Sequence, residues 1–221
     1  INDFAAIGYA SAGFEDGDWV QIGAGAAQPD RPIAVLGPGT GLGVCGALPG
    51  PHGATVVSGE GGHADFSPVG EEEIEILRRL LTRYRRVSAE RLLSGAGLQN
   101  IYWALNTMRG TESRHATPAD ISAAALSGKD SIAVETLAVF CRVLGGFAGN
   151  LALTYGARGG VYVAGGIVPR YPELFLNSRF RSGFESKGRH RAIMERIPTQ
   201  LIVHPQPGLL GASYVAQEMA T

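Results

Sequence analysis

The sequence predicts an α/β fold built on a mixed sheet, and three observations carry that prediction. Three apolar runs, at residues 32–36, 43–48 and 54–58, follow one another closely with turn residues between them. That is the pattern of an antiparallel meander. A helical region follows, and the chain then closes in the order strand, helix, strand, helix. Hydrophobic residues make up 45% of the 221 residues, enough for the core of one domain, or of one large and one very small domain.

The elements read as follows. Ile1-Asn2-Asp3-Phe4-Ala5-Ala6 opens the chain; an Asn-Asp pair near a chain end reads by default as solvated, the alternative being a general base beside a positioning amide. A polar, glycine-rich loop then runs to Arg31, with one short strand at 19–22. After the meander, Glu71-Glu72-Glu73 starts a helix with Ile74, Leu77, Leu81 and Tyr84 at helical spacing, closed by Arg83, Arg85 and Arg86. Acid first and base last complement the helix dipole. A shorter helix is expected at 88–93 and another around 98–108. Thr117-Pro118-Ala119-Asp120 is a helix start, with Thr as N-cap and Pro in the first turn. Residues 129–155 form a long helical stretch, apolar on most faces, whose Gly145-Gly146 and Gly149 allow a neighbour to approach closely. A strand at 161–164 ends in Gly165-Gly166, with Pro169 at a helix start beyond it. The last strand is read at 200–204 and the last helix at 208–219. No internal repeat is visible.

Composition excludes several classes. The 19 Lys+Arg against 20 Asp+Glu leave a formal charge of -1, which excludes a broad electrostatic footprint for nucleic acid or an anionic membrane. Glycine or charge interrupts the apolar segments before about 18 residues, so no membrane-spanning helix is expected. The opening residues carry no basic secretory n-region. Cys45 and Cys141 form neither a short-spaced metal pair nor a disulfide framework, which favours a reducing cytoplasm. The 32 glycines are about twice the usual share, and they are clustered.

Those clusters carry the candidate chemistry. Gly37-Pro38-Gly39-Thr40-Gly41-Leu42-Gly43 lies between two strands. Its glycines let backbone N–H groups approach an anion, and Thr40 adds a hydroxyl. A ligand-free glycine-rich hairpin is the equal alternative. The overlapping G-x-G-x-x-G match from Gly41 is not a dinucleotide fingerprint, because a strand-like run follows it where a helix is required. Ser58-Gly59-Glu60-Gly61-Gly62-His63-Ala64-Asp65-Phe66 places carboxylates and an imidazole on a close-approach loop. A hydroxyl-rich ligand suits it better than a metal, since a carboxylate accepts from two vicinal hydroxyls. Gly165-Gly166 at a strand end, and Pro207-Gly208-Leu209-Leu210-Gly211 at a helix start, are common ligand positions, each weak alone. The arginines of 78–86 and the basic residues of 187–191 read as solvated faces or subunit contacts.

Taken together, these segments resemble the bacterial-type glucokinases of the hexokinase/actin-like ATPase superfamily. The matching stretches are Ile1-Asn2-Asp3-Phe4-Ala5-Ala6, the Gly37–Gly43 loop, Gly59-Glu60-Gly61-Gly62-His63-Ala64-Asp65-Phe66 and Val87-Ser88-Ala89-Glu90-Arg91-Leu92-Leu93-Ser94-Gly95. Phe140-Cys141-Arg142-Val143-Leu144-Gly145-Gly146, Val163-Ala164-Gly165-Gly166-Ile167-Val168-Pro169-Arg170 and Pro207-Gly208-Leu209-Leu210-Gly211 continue the match in order.

The resemblance implies an actin-like ATPase (ribonuclease H-like) domain and ATP-dependent phosphorylation of glucose at its 6-hydroxyl. It makes Asp3 the catalytic base. It assigns Asn2, Glu60, His63 and Glu90, with Asp3, to the sugar. It places ATP phosphates at Gly39, Thr40 and Gly41 and the nucleoside near Gly165 and Gly166. Mg²⁺ is expected to be held through the nucleotide phosphates, with no protein metal site. Glu90 is singled out by the resemblance alone. The partners implied are glucose and ATP, with no nucleic acid or membrane, and a homodimer is compatible with the family. The family also carries an N-terminal small domain, so residues 1–221 are expected to be the large domain of a two-domain kinase and to have little activity alone. A non-catalytic sugar sensor with a kinase fold is the rival; the presence of Asp3 argues against it.

Overall fold

Residues 1–50 and 53–218 are described by the structure, a computed structural model. Six strands form one sheet: β1 (Trp19–Ile22), β2 (Ile33–Pro38), β3 (Leu42–Gly50), β4 (Gly53–Gly59), β5 (Gly160–Val163) and β6 (Thr199–Ile202). Their spatial order is β1-β6-β5-β2-β3-β4. β2, β3 and β4 pair antiparallel as the expected meander, and β2, β5 and β6 run parallel. β1 closes the far edge antiparallel to β6.

Nine helices flank the sheet among the described residues: α1 (Asp3–Ala10), α2 (Glu71–Leu81), α3 (Gly95–Met108), α4 (Pro118–Leu126), α5 (Ser131–Tyr155), α6 (Pro172–Leu176), α7 (Phe180–Glu185), α8 (Arg191–Met194) and α9 (Pro207–Glu218). Strand alternation sorts them into two outer layers. Ile33 and Val35 of β2 face a small core with Ile7, Cys45 and Ile202, on the side where α1 packs against β2, β3, β4 and α9. Ala34 and Leu36 face the large core with Leu98, Ile101, Phe140 and Leu144, under α3 and α5.

Several sequence expectations are corrected. The opening segment is a helix whose N-cap is Asn2. Asn2 and Asp3 are exposed, as the solvated-end reading has it, but the helix behind them is covered by α9, with Gly211 so close to Ala6 that a methyl group would strike its carbonyl. α2 ends at Leu81, short of the arginines at 83–86, and its buried side chains are Glu73, Ile76 and Leu80 rather than the Ile74–Leu81 stripe. The helix expected at 88–93 is a single 3₁₀ turn, Ala89–Arg91. Pro169 lies in another such turn, Val168–Arg170, and the helix begins only at Pro172. α7 and α8 were not anticipated. Pro51 and His52 of the expected hairpin turn, and Met219, lie outside the described residues.

α5 overturns the expectation that glycine interrupts every long apolar run. It is 25 residues long, and by length and composition it would suffice to cross a membrane. Here it is a core helix, with Phe140, Leu144, Ala148 and Ala152 among its buried residues. Gly145 and Gly149 do not break it because α7 lies against them: a Cβ on Gly145 would strike the Phe180 carbonyl, and one on Gly149 would sit 2.7 Å from the Phe184 carbonyl oxygen.

Candidate functional site

β2, β4 and β5 all end at one edge of the sheet, where β3 begins. The carboxyl edge of such a sheet is where ligands bind in open α/β folds. The segments Gly39–Gly41, Glu60–His63 and Gly165-Gly166 each follow one of these strand ends.

The β2–β3 hairpin is held from two sides. Gly39 N–H donates to the Gly41 carbonyl at 2.8 Å, and Gly95 N–H at the start of α3 donates to the Gly39 carbonyl at 2.9 Å. Thr40 is exposed at the tip. Gly165, with φ of 94°, tucks under Pro38, where a side chain would collide with the Pro38 carbonyl. Ile167 N–H then donates to that carbonyl at 3.3 Å. Gly166 is exposed, with no neighbour around its missing side chain. Two glycine segments thus lie side by side with their backbones open to a ligand.

After β4, Glu60 leads into a 3₁₀ turn, Gly61–His63. The turn is seated on β3: a Cβ on Gly62 would strike the Leu42 carbonyl, and one on Gly61 would lie 3.2 Å from Val44 Cγ1. Residues beyond it zip to the segment before α3. Ala89 N–H donates to the Ala64 carbonyl at 2.8 Å, and Phe66 N–H to the Val87 carbonyl at 3.0 Å. Arg86 Nε donates to Asp65 Oδ1 at 2.6 Å and its Nη2 to the His63 carbonyl at 2.7 Å.

This zipper brings Glu90 to the site. Its Oε2 accepts from Leu42 N–H at 3.0 Å, and its Oε1 lies 3.9 Å from His63 Nδ1. Ser94 Oγ donates to the Glu90 carbonyl at 2.9 Å and accepts from Gly97 N–H at 3.0 Å, capping α3. Glu60 and His63 are exposed and Glu90 is half-buried, so all three present polar atoms around the start of β3.

Asn2 and Asp3 reach the same strand by another route. Asn2 Oδ1 accepts from Phe4 N–H at 2.8 Å and Ala5 N–H at 3.2 Å, capping α1. Phe4 lies over Gly43 and Gly37, whose missing side chains make room for its ring. Cys45 Sγ–H donates to the Phe4 carbonyl at 3.1 Å. Asp3 is exposed at the first turn, its Oδ1 accepting from Phe4 N–H at 3.0 Å. His63 and Glu90 therefore meet directly, Glu60 heads the turn that carries His63, and Asn2 and Asp3 reach the same strand through Phe4, which lies on Gly43.

Sequence reasoning missed Arg86, Phe4, Cys45 and Ser94. Arg86 was absorbed into an arginine run read as solvated. For Ser94 a signal was available: a serine immediately before Gly95-Ala96-Gly97 is an N-cap pattern. A hollow of about 690 Å³ lies between the segment 61–69 and α5. It includes none of Asp3, Glu60, His63 or Glu90.

Residues 1–219 match the glucokinase family model. The chain is 47% identical over 221 residues to a glucokinase of Chromobacterium violaceum, covering all of this chain and 64% of that one. It is 48% identical over 212 residues to a glucokinase of Cronobacter sakazakii, covering 96% of this chain and 66% of the relative. It therefore spans about two thirds of the length of these curated relatives. The crystal structure of glucokinase from an Antarctic psychrotroph superposes with a TM-score of 0.92 at 36% identity, covering 99% of this chain and 68% of that one. An actin-like α/β sheet, two glycine segments at its ligand edge and a carboxylate–imidazole cluster beside them accord with that match, and this chain belongs to the glucokinase family.

Proposed function

We propose that this chain provides the sugar-gripping, phosphate-cradling large domain of an ATP:glucose phosphotransferase, with Asp3 as general base. The observation that supports this most is the meeting of His63 and Glu90 at the start of β3, on the turn that Glu60 heads and next to the Gly39–Gly41 hairpin. Carboxylates and imidazole offer acceptors to adjacent sugar hydroxyls, and such charged hydrogen bonds penalise ligands that lack one. The Asn2 oxygen is committed to its cap, which leaves its amide nitrogen to donate to the sugar.

In the proposed reaction the sugar 6-oxygen forms a bond to the γ-phosphorus while its proton passes to an Asp3 oxygen. The bond from that phosphorus to the β–γ bridging oxygen breaks, and ADP leaves. Backbone and hydroxyl donors at the Gly39-Thr40-Gly41 tip, other than the Gly39 N–H that the Gly41 carbonyl already takes, would hold the phosphates, and Gly165-Gly166 would let the nucleoside approach the backbone. Mg²⁺, when bound, neutralises charge on the phosphates. Asp65 is engaged by Arg86, and among the described residues no three His, Cys, Asp or Glu converge. The donor set therefore suits an ion carried on the nucleotide. The buried, unpaired Cys45 and Cys141 favour a cytoplasmic setting.

ADP release with glucose and ATP tests this reading. In the enzyme containing this chain, Asp3→Asn is expected to lower turnover by about 10²–10⁴-fold while glucose still binds. Unchanged turnover would remove Asp3 from the mechanism. The 221-residue chain alone is expected to turn over little, as half of a two-domain cleft; robust phosphorylation by it would refute that division.

A further inference from the structure

We infer that Gly41 is a positioning residue for the sugar site, acting through Glu90, so that the phosphate loop and the sugar are joined by one carboxylate. The inference rests on the kinase reading above and adds a link between its two ligands.

The link is visible in three contacts. Glu90 Oε2 accepts from Leu42 N–H at 3.0 Å, the first peptide after the Gly39-Thr40-Gly41 tip. The other oxygen, Oε1, points to His63 at 3.9 Å. A Cβ on Gly41 would lie 2.6 Å from Glu90 Oε2, inside the contact distance of any carbon and oxygen. Gly41 does not have a positive φ, so its backbone alone would accept a side chain. What it cannot accept is the carboxylate where Glu90 now holds it.

The consequence is directional. Any ligand that moves the Gly39–Gly41 tip moves Leu42 N–H, the donor that fixes one Glu90 oxygen. Any sugar that draws on the other oxygen tightens or loosens that same bond. The Gly95-to-Gly39 hydrogen bond and the Ser94-to-Glu90 hydrogen bond tie both ends of this unit to the start of α3. Hairpin tip and Glu90 are therefore held as one piece.

The test is glucose affinity measured by calorimetry on the full chain without nucleotide, where Gly41 has no ligand of its own. Gly41→Ala is expected to weaken glucose about ten- to hundredfold, the range for displacing a charged hydrogen-bond partner. Glu90→Asp, one methylene shorter, withdraws from the new methyl group. In that background adding Gly41→Ala is expected to cost less than about twofold, a non-additivity that mere loop damage would not produce. A second measurement does not need Gly41→Ala to fold: saturating glucose should shift the Leu42 amide resonance in the wild type. If the wild type does not bind glucose, or Glu90→Ala binds it as tightly as the wild type, the kinase reading of the site fails. If Glu90→Ala loses glucose while Gly41→Ala stays within twofold of the wild type, or the Leu42 resonance ignores glucose, only the present inference fails.

Discussion

Arg86 shows how much a single exposed side chain organises here. It spans Asp65 and the His63 carbonyl, bracing the turn that presents His63 from outside. Surface ion pairs contribute only about 0–1 kcal/mol to folding, so Arg86→Ala is expected to leave the melting temperature nearly unchanged. Glucose affinity, by contrast, should fall several-fold, because the turn loses its brace. A calorimetric titration beside a thermal melt checks both halves, and a large drop in stability would contradict this account. Arg86→Lys should not rescue fully, since one ammonium cannot reproduce the planar fork of a guanidinium.

Helix contacts explain both what was legible in the sequence and what was not. The capping box of α4, in which Thr117 and Asp120 bond each other's backbone N–H, is a local device and was readable from four residues. The meander and β5 were readable because their apolar runs are short and bounded by glycine or proline. α1 was not, since half of its eight residues are alanine or glycine and much of its burial comes from α9, far along the chain. α7 and α8 are six and four residues long, too short to show a helical period. The end of α2 was misplaced because the arginines at 83–86 mimic a basic last turn, whereas the helix is capped at Thr82 and Arg86 turns to Asp65. Of the site, Glu60 and His63 stood out by composition, whereas Glu90 has no local signature: its contacts with Leu42 and His63 exist only in three dimensions.

At this scale the glycines of α5 separate cleanly. Gly145→Ala would push a methyl group into the Phe180 carbonyl, and overpacking of this kind costs about 1–3 kcal/mol. The neighbouring Gly146 has no atom within 4 Å of its missing Cβ, so Gly146→Ala should instead gain up to about 1 kcal/mol from helix propensity. Opposite shifts in urea midpoint for adjacent substitutions are the expected result. Equal shifts would mean that the α5–α7 contact is looser than described.

For the molecule as a whole, the two buried thiols contribute to a loss of stability at alkaline pH. Burial pushes Cys45 up to about 12, with an opposing contribution from the Gly8 backbone, and pushes Cys141 up to about 11. In the unfolded chain both ionise near the ordinary 9.0. The native state therefore binds more protons above that pH, and the thiols' contribution to stability is lost as pH rises from about 9 towards 12. Denaturant melts across that window should show a decline that Cys45→Ala and Cys141→Ala each reduce. At pH 8 the folded protein should resist thiol alkylation and react at both positions once denatured.

The pairing of α1 with α9 also orders events during synthesis. Asp3 leaves the ribosome about 200 residues ahead of the helix that clamps its own, a delay of about 10–40 s at ordinary elongation rates. Through that interval the sheet and α5 can assemble while the acid at the head of α1 stays unanchored. Its final alignment must wait for α9 to emerge and dock.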